Sequence, residues 1–163
     1  MNNKLIIRPG KPTDIPDLMR LVRELAEYER APNEVTNTEL EMLQDGFSEN
    51  PSFGFYVAEL DSVVLGIALY YTRYSSWKGR CLYLEDIVVT EQHRGKGIGD
   101  KLFVRCVKHA SDNGFAAINW QVLEWNEPAI HFYDRYKSEL DDEWINCKIS
   151  RDKFETVISG KRE

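Results

Sequence analysis

The sequence predicts one mixed α/β domain: a central sheet that is antiparallel at first and parallel later, with helices on both faces. Three observations predict it. β-rich segments follow one another closely in the middle of the chain, as strands of hairpins do. Later β-rich segments are separated by amphipathic stretches, as in strand–helix–strand units. A length of 163 residues, 42% hydrophobic and 12% aromatic, matches one domain with a full core. The whole chain, 1–163, is therefore read as a single domain.

Lys4-Leu5-Ile6-Ile7-Arg8 reads as the first strand and stops at Pro9-Gly10. Ile15, Leu18, Met19, Val22, Leu25 and Ala26 recur at helical spacing behind Asp14, a residue type that caps helices. This helix is expected to end near Tyr28–Arg30, because Pro32 cannot continue it. A short helix is expected from Thr38 to Leu43, closed by Gly46. Phe53 to Leu60 and Val63 to Tyr74 are β-rich, with Asp61-Ser62 as a tight turn between them. Arg80 to Thr90 is a third such run. After a glycine-rich turn, Ile98, Leu102, Phe103, Cys106, Val107 and Ala110 make one helical stripe ending near Asn113-Gly114. Ala116 to Leu123 is expected as a strand, and Asn126 as the cap of a short helix to about Tyr136. A last strand is expected at Trp144 to Ile149, then a helical tail from Asp152.

Composition excludes several functions. Lys and Arg total 21 against 27 Asp and Glu, a net charge of −6, which opposes binding to duplex DNA and suits a small cation. The three cysteines, Cys81, Cys106 and Cys147, are too few and too scattered for a disulfide framework. No pair has zinc-site spacing, the histidines stand alone, and no metal is expected. The start reads as no signal peptide, and the longest apolar run, Val63 to Tyr71, is far short of a membrane span. A soluble protein of a reducing compartment is expected, with no membrane partner.

One basic island interrupts the acidic balance. Arg94-Gly95-Lys96-Gly97-Ile98-Gly99 lies where a strand gives way to an amphipathic helix, with His93 and Lys101 beside it. Glycines let backbone N–H groups come close to a ligand, and a helix start adds its positive dipole end, so the turn suits a phosphate. The spacing fits neither the dinucleotide fingerprint nor a Walker A loop.

Glu85 and Asp86 are neighbouring carboxylates inside an apolar strand. Strand alternation sends them to opposite faces, Glu85 with Tyr83 and Ile87, Asp86 with Leu84 and Val88. A carboxylate in apolar surroundings needs a partner. One of the two faces a cationic ligand or a proton route, or both are structural; spacing leaves both readings open. Periodicity alone makes Tyr133 a core residue, and Tyr28-Glu29 an ordinary charged helix end.

Arg-x-x-Gly-x-Gly between a strand and a helix, here Arg94, Gly97 and Gly99, resembles the coenzyme A signature of the GNAT N-acetyltransferases. Arg23-Glu24-Leu25-Ala26-Glu27-Tyr28-Glu29, Tyr83-Leu84-Glu85-Asp86, Glu124-Trp125-Asn126-Glu127-Pro128 and Phe132-Tyr133 are similar to the diamine (spermidine/spermine) acetyltransferases. Tyr74-Ser75-Ser76-Trp77-Lys78-Gly79-Arg80 is closer to the thialysine-acetylating branch. The resemblance implies the GNAT fold and one N-acetyltransferase domain. It implies transfer of an acetyl group from acetyl-CoA to a small cationic amine by direct attack, in a cytoplasmic homodimer. It places Tyr28, Glu29 and Glu85 at the amine, with Glu85 helping deprotonation and Tyr133 protonating the leaving thiolate. It assigns the cofactor to Ile87, Val88 and Val89, to the run Arg94, Gly95, Lys96, Gly97, Ile98, Gly99 and Asp100, to Asn119, Trp120 and Gln121, and to Asn126, Glu127, Pro128 and Ala129. Acetylation of a peptide amine, or a silent acyl-CoA-binding module, are the alternatives.

Two departures stand out. The relatives usually read towards a Gly-Ala turn after the tyrosine, whereas this chain has Asp134-Arg135-Tyr136-Lys137-Ser138, which implies a different helix end. Polyamine-specific relatives carry Asp-Pro before the tryptophan matching Trp77, whereas this chain has Ser75-Ser76. Losing that negative charge weakens a long polycation more than a short amine, so shorter diamines or lysine-like amino acids are expected over spermine.

Overall fold

The computed structural model describes residues 4–160. The chain divides into two compact units, Met1–Gln121 and Val122–Glu163.

The first unit contains β1 (Ile6–Pro9), α1 (Ile15–Tyr28), α2 (Glu39–Phe47), β2 (Gly54–Leu60), β3 (Val63–Ser75), β4 (Gly79–Val89), α3 (Ile98–Asp112) and β5 (Ile118–Asn119). These strands form one sheet in the order β1-β2-β3-β4-β5. The first three pairings are antiparallel and β4–β5 is parallel, the mixed sheet expected. The β2–β3 turn uses Asp61 and Ser62 at φ of 50° and 64°, the positive φ pair whose twist matches a hairpin.

Side-chain parity sorts the layers. Phe55 and Val57 of β2 and Ile67 and Leu69 of β3 pack with Leu18, Met19 and Leu21 of α1 and Met42 of α2. Tyr56 and Tyr70 point the other way, towards α3. There the Tyr56 hydroxyl meets His109 Nδ1 at 2.9 Å, and the Tyr70 ring lies 4.8 Å from that of His109. Helices thus cover both faces. α3 sits close because β3 has no side chain at Gly66, where a Cβ would stand 2.9 Å from the Val88 carbonyl oxygen and 3.2 Å from Leu102.

Asp14 is not the helix cap its position suggests. It takes Arg8 Nη1 at 2.7 Å and the Lys11 N–H at 2.7 Å, while Arg8 Nε reaches Glu59 at 2.8 Å, so one partly buried ion network joins β1, β2 and the start of α1. The Arg8 guanidinium holds the Asp14 carboxyl below its ordinary range. α2 also runs past its expected end. Thr38 Oγ accepts the Glu41 N–H at 3.2 Å and Glu41 takes the Thr38 N–H at 2.9 Å, a capping box that starts the helix firmly. Gly46 lies inside α2, because the Phe53 ring fills the space a Cβ would need, 2.8 Å away.

The strand expected over 116–123 shrinks to Ile118–Asn119. It bonds β4 through Ala116 N–H to the Arg80 carbonyl at 2.8 Å and Leu82 N–H to the Ala117 carbonyl at 2.9 Å. Beyond Asn119 the Trp120 ring sets edge-on to Phe103 of α3 at 5.4 Å, and the ladder ends.

The second unit holds α4 (Glu127–Asp134) and α5 (Phe154–Ile158). Asn126 caps α4 by accepting the Ala129 N–H at 3.3 Å, with Pro128 in the first turn. The expected strand Trp144–Ile149 takes no regular structure, and Trp144 and Ile145 are 72% and 88% exposed. β propensity measures fit to a neighbouring ladder, and these residues have none. Lys137 takes a left-handed φ of 57°, the conformation a glycine adopts freely.

Candidate active site

The site starts at a fault in the β3–β4 ladder. Leu69 pairs with Asp86 and Tyr70 with Leu84, so Glu85 is an extra residue on β4, a β-bulge. Alternation therefore fails here. Glu85 and Asp86, expected on opposite faces, both line one open cleft of about 440 Å³. Tyr71, Glu34 and Asp45 join them, opposite an apolar wall that includes Val22, Met42 and Phe53. A cleft with four carboxylates and apolar walls attracts an organic cation.

The two neighbouring carboxyls differ. Burial, then the charges of Glu85 and Glu29, push the Asp86 pKa up to about 7. Glu85 is more exposed, and its charge acts on the Tyr71 hydroxyl. Burial, aided by Glu85, pushes that hydroxyl up to about 12, so Tyr71 stays a donor. Glu29 is itself raised by burial. Neither Tyr28 nor Glu29, both expected at the amine, lines the cleft: Glu29 acts on it only through its charge on Asp86, and the Tyr28 ring lies beneath the Arg94 guanidinium, 5.1 Å away.

The β4 edge changes character just past the bulge. The parallel ladder with β5 covers Leu82↔Ile118 and Tyr83↔Asn119 only. From Leu84 onward, Ile87, Val88 and Val89 included, that edge has no β5 partner. Unpaired strand edges offer N–H and C=O groups to an extended ligand.

β4 leads through the turn Glu91–His93 into the glycine run and α3. Gly95 and Gly97 take φ of 72° and 74°, and a Cβ at either would meet nothing within 4 Å, so this backbone is open to a ligand. Gly97 is the N-cap of α3, whose first turn holds Ile98, Gly99 and Asp100. Arg94 donates Nε–H to the Val89 carbonyl at 2.9 Å, and Lys96 reaches the Gln92 carbonyl at 3.2 Å. Open glycines, a helix start and two cations fit the pyrophosphate of a nucleotide-bearing cofactor. Asn119 ends β5, and Trp120 and Gln121 follow it.

In the second unit Tyr133 is buried on α4, with the Phe132 ring edge-on at 5.0 Å. Asn126, also buried, caps the same helix, and Glu127, Pro128 and Ala129 form its first turn.

Asp86, Glu34 and Asp45 also line the cleft, and none of them was among the residues assigned to the amine. Asp86 was weighed beside Glu85 as the partner of a cation, but alternation put the two on opposite faces and the family resemblance singled out Glu85. Nothing in the local sequence marks Glu34 or Asp45. Among the described residues no group of three or more His, Cys, Asp or Glu side chains is arranged to hold a metal ion. No described helix is long and apolar enough to cross a membrane.

The acetyltransferase (GNAT) family model matches residues 17–137. The thialysine N-epsilon-acetyltransferase of Mus musculus is 42% identical over 135 residues, covering 78% of this chain and 79% of that one. The spermidine/spermine N(1)-acetyltransferase-like protein 1 of Homo sapiens is 34% identical over 158 residues, covering 91% of this chain and 23% of that one. Among solved structures, aminoglycoside N-acetyltransferase AAC(6')-Iy in complex with CoA shares the fold at a TM-score of 0.73 and 17% identity, covering 91% of this chain and 97% of that one. The chain belongs to the GNAT acetyltransferase family, and it is an N-acetyltransferase.

Proposed function

We propose that the chain, working as one domain over 1–163, transfers the acetyl group of acetyl-CoA to a primary amine of a short diamine or a lysine-like amino acid such as thialysine. The observation that carries this reading is the bulge, which sets Glu85 and Asp86 on one acidic cleft directly before the unpaired edge Ile87–Val89. Acetyl-CoA supplies an activated thioester. Arg94, Lys96 and the N–H groups of Gly95 to Asp100 hold its pyrophosphate, and the edge from Ile87 to Val89 faces its pantetheine arm and carbonyl. Asn119 to Gln121 and Asn126 to Ala129 complete the cofactor contacts that the family resemblance supplies.

The cleft takes the amine as its ammonium ion, with Glu29 nearby adding to the negative field. Attack requires the neutral amine, so the ammonium must first lose a proton. Asp86, with its pKa near neutral, accepts it, and Glu85 orients the nitrogen and assists directly or through water. The nitrogen then bonds the acetyl carbon as the carbon–sulfur bond breaks. The Tyr133 hydroxyl gives its proton to the departing thiolate and is reprotonated by the proton that the new amide nitrogen sheds, directly or through water. No acyl-enzyme forms, and Cys81, buried, takes no part.

Ser75 supports the preference for short amines. Its hydroxyl accepts the N–H groups of Trp77 at 3.3 Å and Lys78 at 3.2 Å, so it shapes the β3–β4 turn and brings no charge. Family resemblance supports a homodimer, and the free cysteines support a cytoplasmic protein. The test is thiol release from acetyl-CoA with putrescine, spermidine, spermine, lysine, thialysine and a basic peptide. Short diamines or thialysine should turn over fastest; spermine or the peptide turning over much faster would contradict the assignment.

A further inference from the structure

The arginine of the glycine signature does not stand alone. Glu24 lies on α1 one turn before Tyr28. Its Oε1 accepts the Glu91 N–H at 2.7 Å, and the same oxygen is 3.7 Å from Arg94 Nη2. Its Oε2 lies 3.9 Å from Arg20 Nη1. Arg94 is held on two further sides, by the Val89 carbonyl at its Nε and by the Tyr28 ring under its guanidinium. Between these points the Thr90 N–H bonds the Leu65 carbonyl at 2.8 Å.

The entry to the glycine turn is therefore tied at Val89, Thr90 and Glu91 in succession, and the tie at Glu91 comes from a helix distant in sequence. A guanidinium is a rigid planar fork of five N–H groups. With Nε on Val89 and Nη2 towards Glu24, the plane of the fork is set, and Nη1 keeps two donors for phosphate oxygens. A carboxylate beside an anion site has two opposite effects. Its charge repels the phosphate, and its hydrogen bonds hold the phosphate's ligand in place. The 2.7 Å bond to the Glu91 amide fixes the backbone that carries Arg94, and substitution at Glu24 measures this holding effect against repulsion.

We infer that Glu24 is a positioning residue for cofactor binding, orienting Arg94 and anchoring the turn that precedes the glycine run. The inference rests on Arg94 as a phosphate ligand. Calorimetric titration with coenzyme A tests it on the full chain, with steady-state kinetics and thermal melting alongside. Glu24→Ala should weaken coenzyme A five- to tenfold, on the order of one charge-assisted hydrogen bond, with kcat at saturating acetyl-CoA within about twofold. Glu24→Gln keeps an acceptor for the Glu91 N–H and should recover most of the loss. Arg20→Ala leaves the Glu24 contacts to Glu91 and Arg94 in place and should leave coenzyme A binding unchanged. Should the alanine variant fold poorly, the glutamine variant still decides: tighter binding than wild type means that repulsion dominates and overturns the inference. Unchanged or tighter binding in a folded Glu24→Ala overturns it equally. If Arg94→Ala itself binds coenzyme A normally, the phosphate role of Arg94 falls; if only Arg94→Ala weakens binding, the role of Glu24 alone falls.

Discussion

The two halves of β4 share a strand and a partner, yet they are built for different tasks. From Gly79 to Leu84 the strand pairs with β3 and also meets β5, and Cys81, Leu82 and Leu84 are fully packed. From Glu85 to Val89 it pairs with β3 alone, carries two carboxylates on one cleft and leaves an edge open. A single extra residue, Glu85, separates the halves. The first half holds the sheet together; the second gives up one ladder and tolerates a half-buried carboxyl in return for chemistry.

The largest effect that would sharpen this contrast is structural. Leu84→Ala removes a side chain only 1% exposed and should lower stability by about 3 kcal/mol, measured by denaturant unfolding, with KM for the amine unchanged. Asp86→Asn, two residues on, should do the reverse: turnover falls roughly 100-fold, the scale of a lost general base, and the fold survives. Glu85→Gln should raise the KM for the amine about tenfold and slow turnover less than Asp86→Asn, as the loss of one charge-assisted contact does. The smallest effect is on stability against pH. Asp86 holds its proton in the folded chain up to about 7 and in the unfolded chain only to its ordinary value. The folded state therefore binds more protons across that window, and stability falls as pH rises through it. Asp86→Asn should accordingly melt higher than wild type at pH 8 and alongside it at acid pH. If that variant were destabilised at pH 8, or if Leu84→Ala were to alter amine binding, the division of β4 would fail.

Where the chain's own local chemistry decides structure, the sequence was legible. Asp61-Ser62, the stripe of α3 except for the exposed Val107, the Asn126 cap and the open turn around Arg94 and Gly97 all lie where pattern and residue type place them. Where structure depends on a neighbour, it was not. Ala116–Leu123 and Trp144–Ile149 have strand composition, but a strand is a pairing, and only Ile118–Asn119 finds a long enough one. The bulge leaves no period-2 signature, so alternation set Asp86 and Glu85 on opposite faces, and the family resemblance singled out Glu85 alone. Lys137 shows the limit of residue type as a signal, holding a glycine-like φ without glycine. Lys137→Gly should therefore stabilise the chain by about 1 kcal/mol in thermal or denaturant melts, by removing left-handed strain.

The central claim is that the bulge turns Asp86 into the group that takes the amine's proton. The pH dependence of kcat/KM for a short diamine or thialysine, measured for wild type, Glu85→Gln and Asp86→Asn, tests it most directly. Activity should rise through an inflection near pH 7 in wild type and at lower pH in Glu85→Gln, where one of the charges that raise Asp86 is gone, and the inflection should vanish in Asp86→Asn. An inflection that persists in Asp86→Asn and is lost in Glu85→Gln would assign the proton to Glu85 and contradict the account.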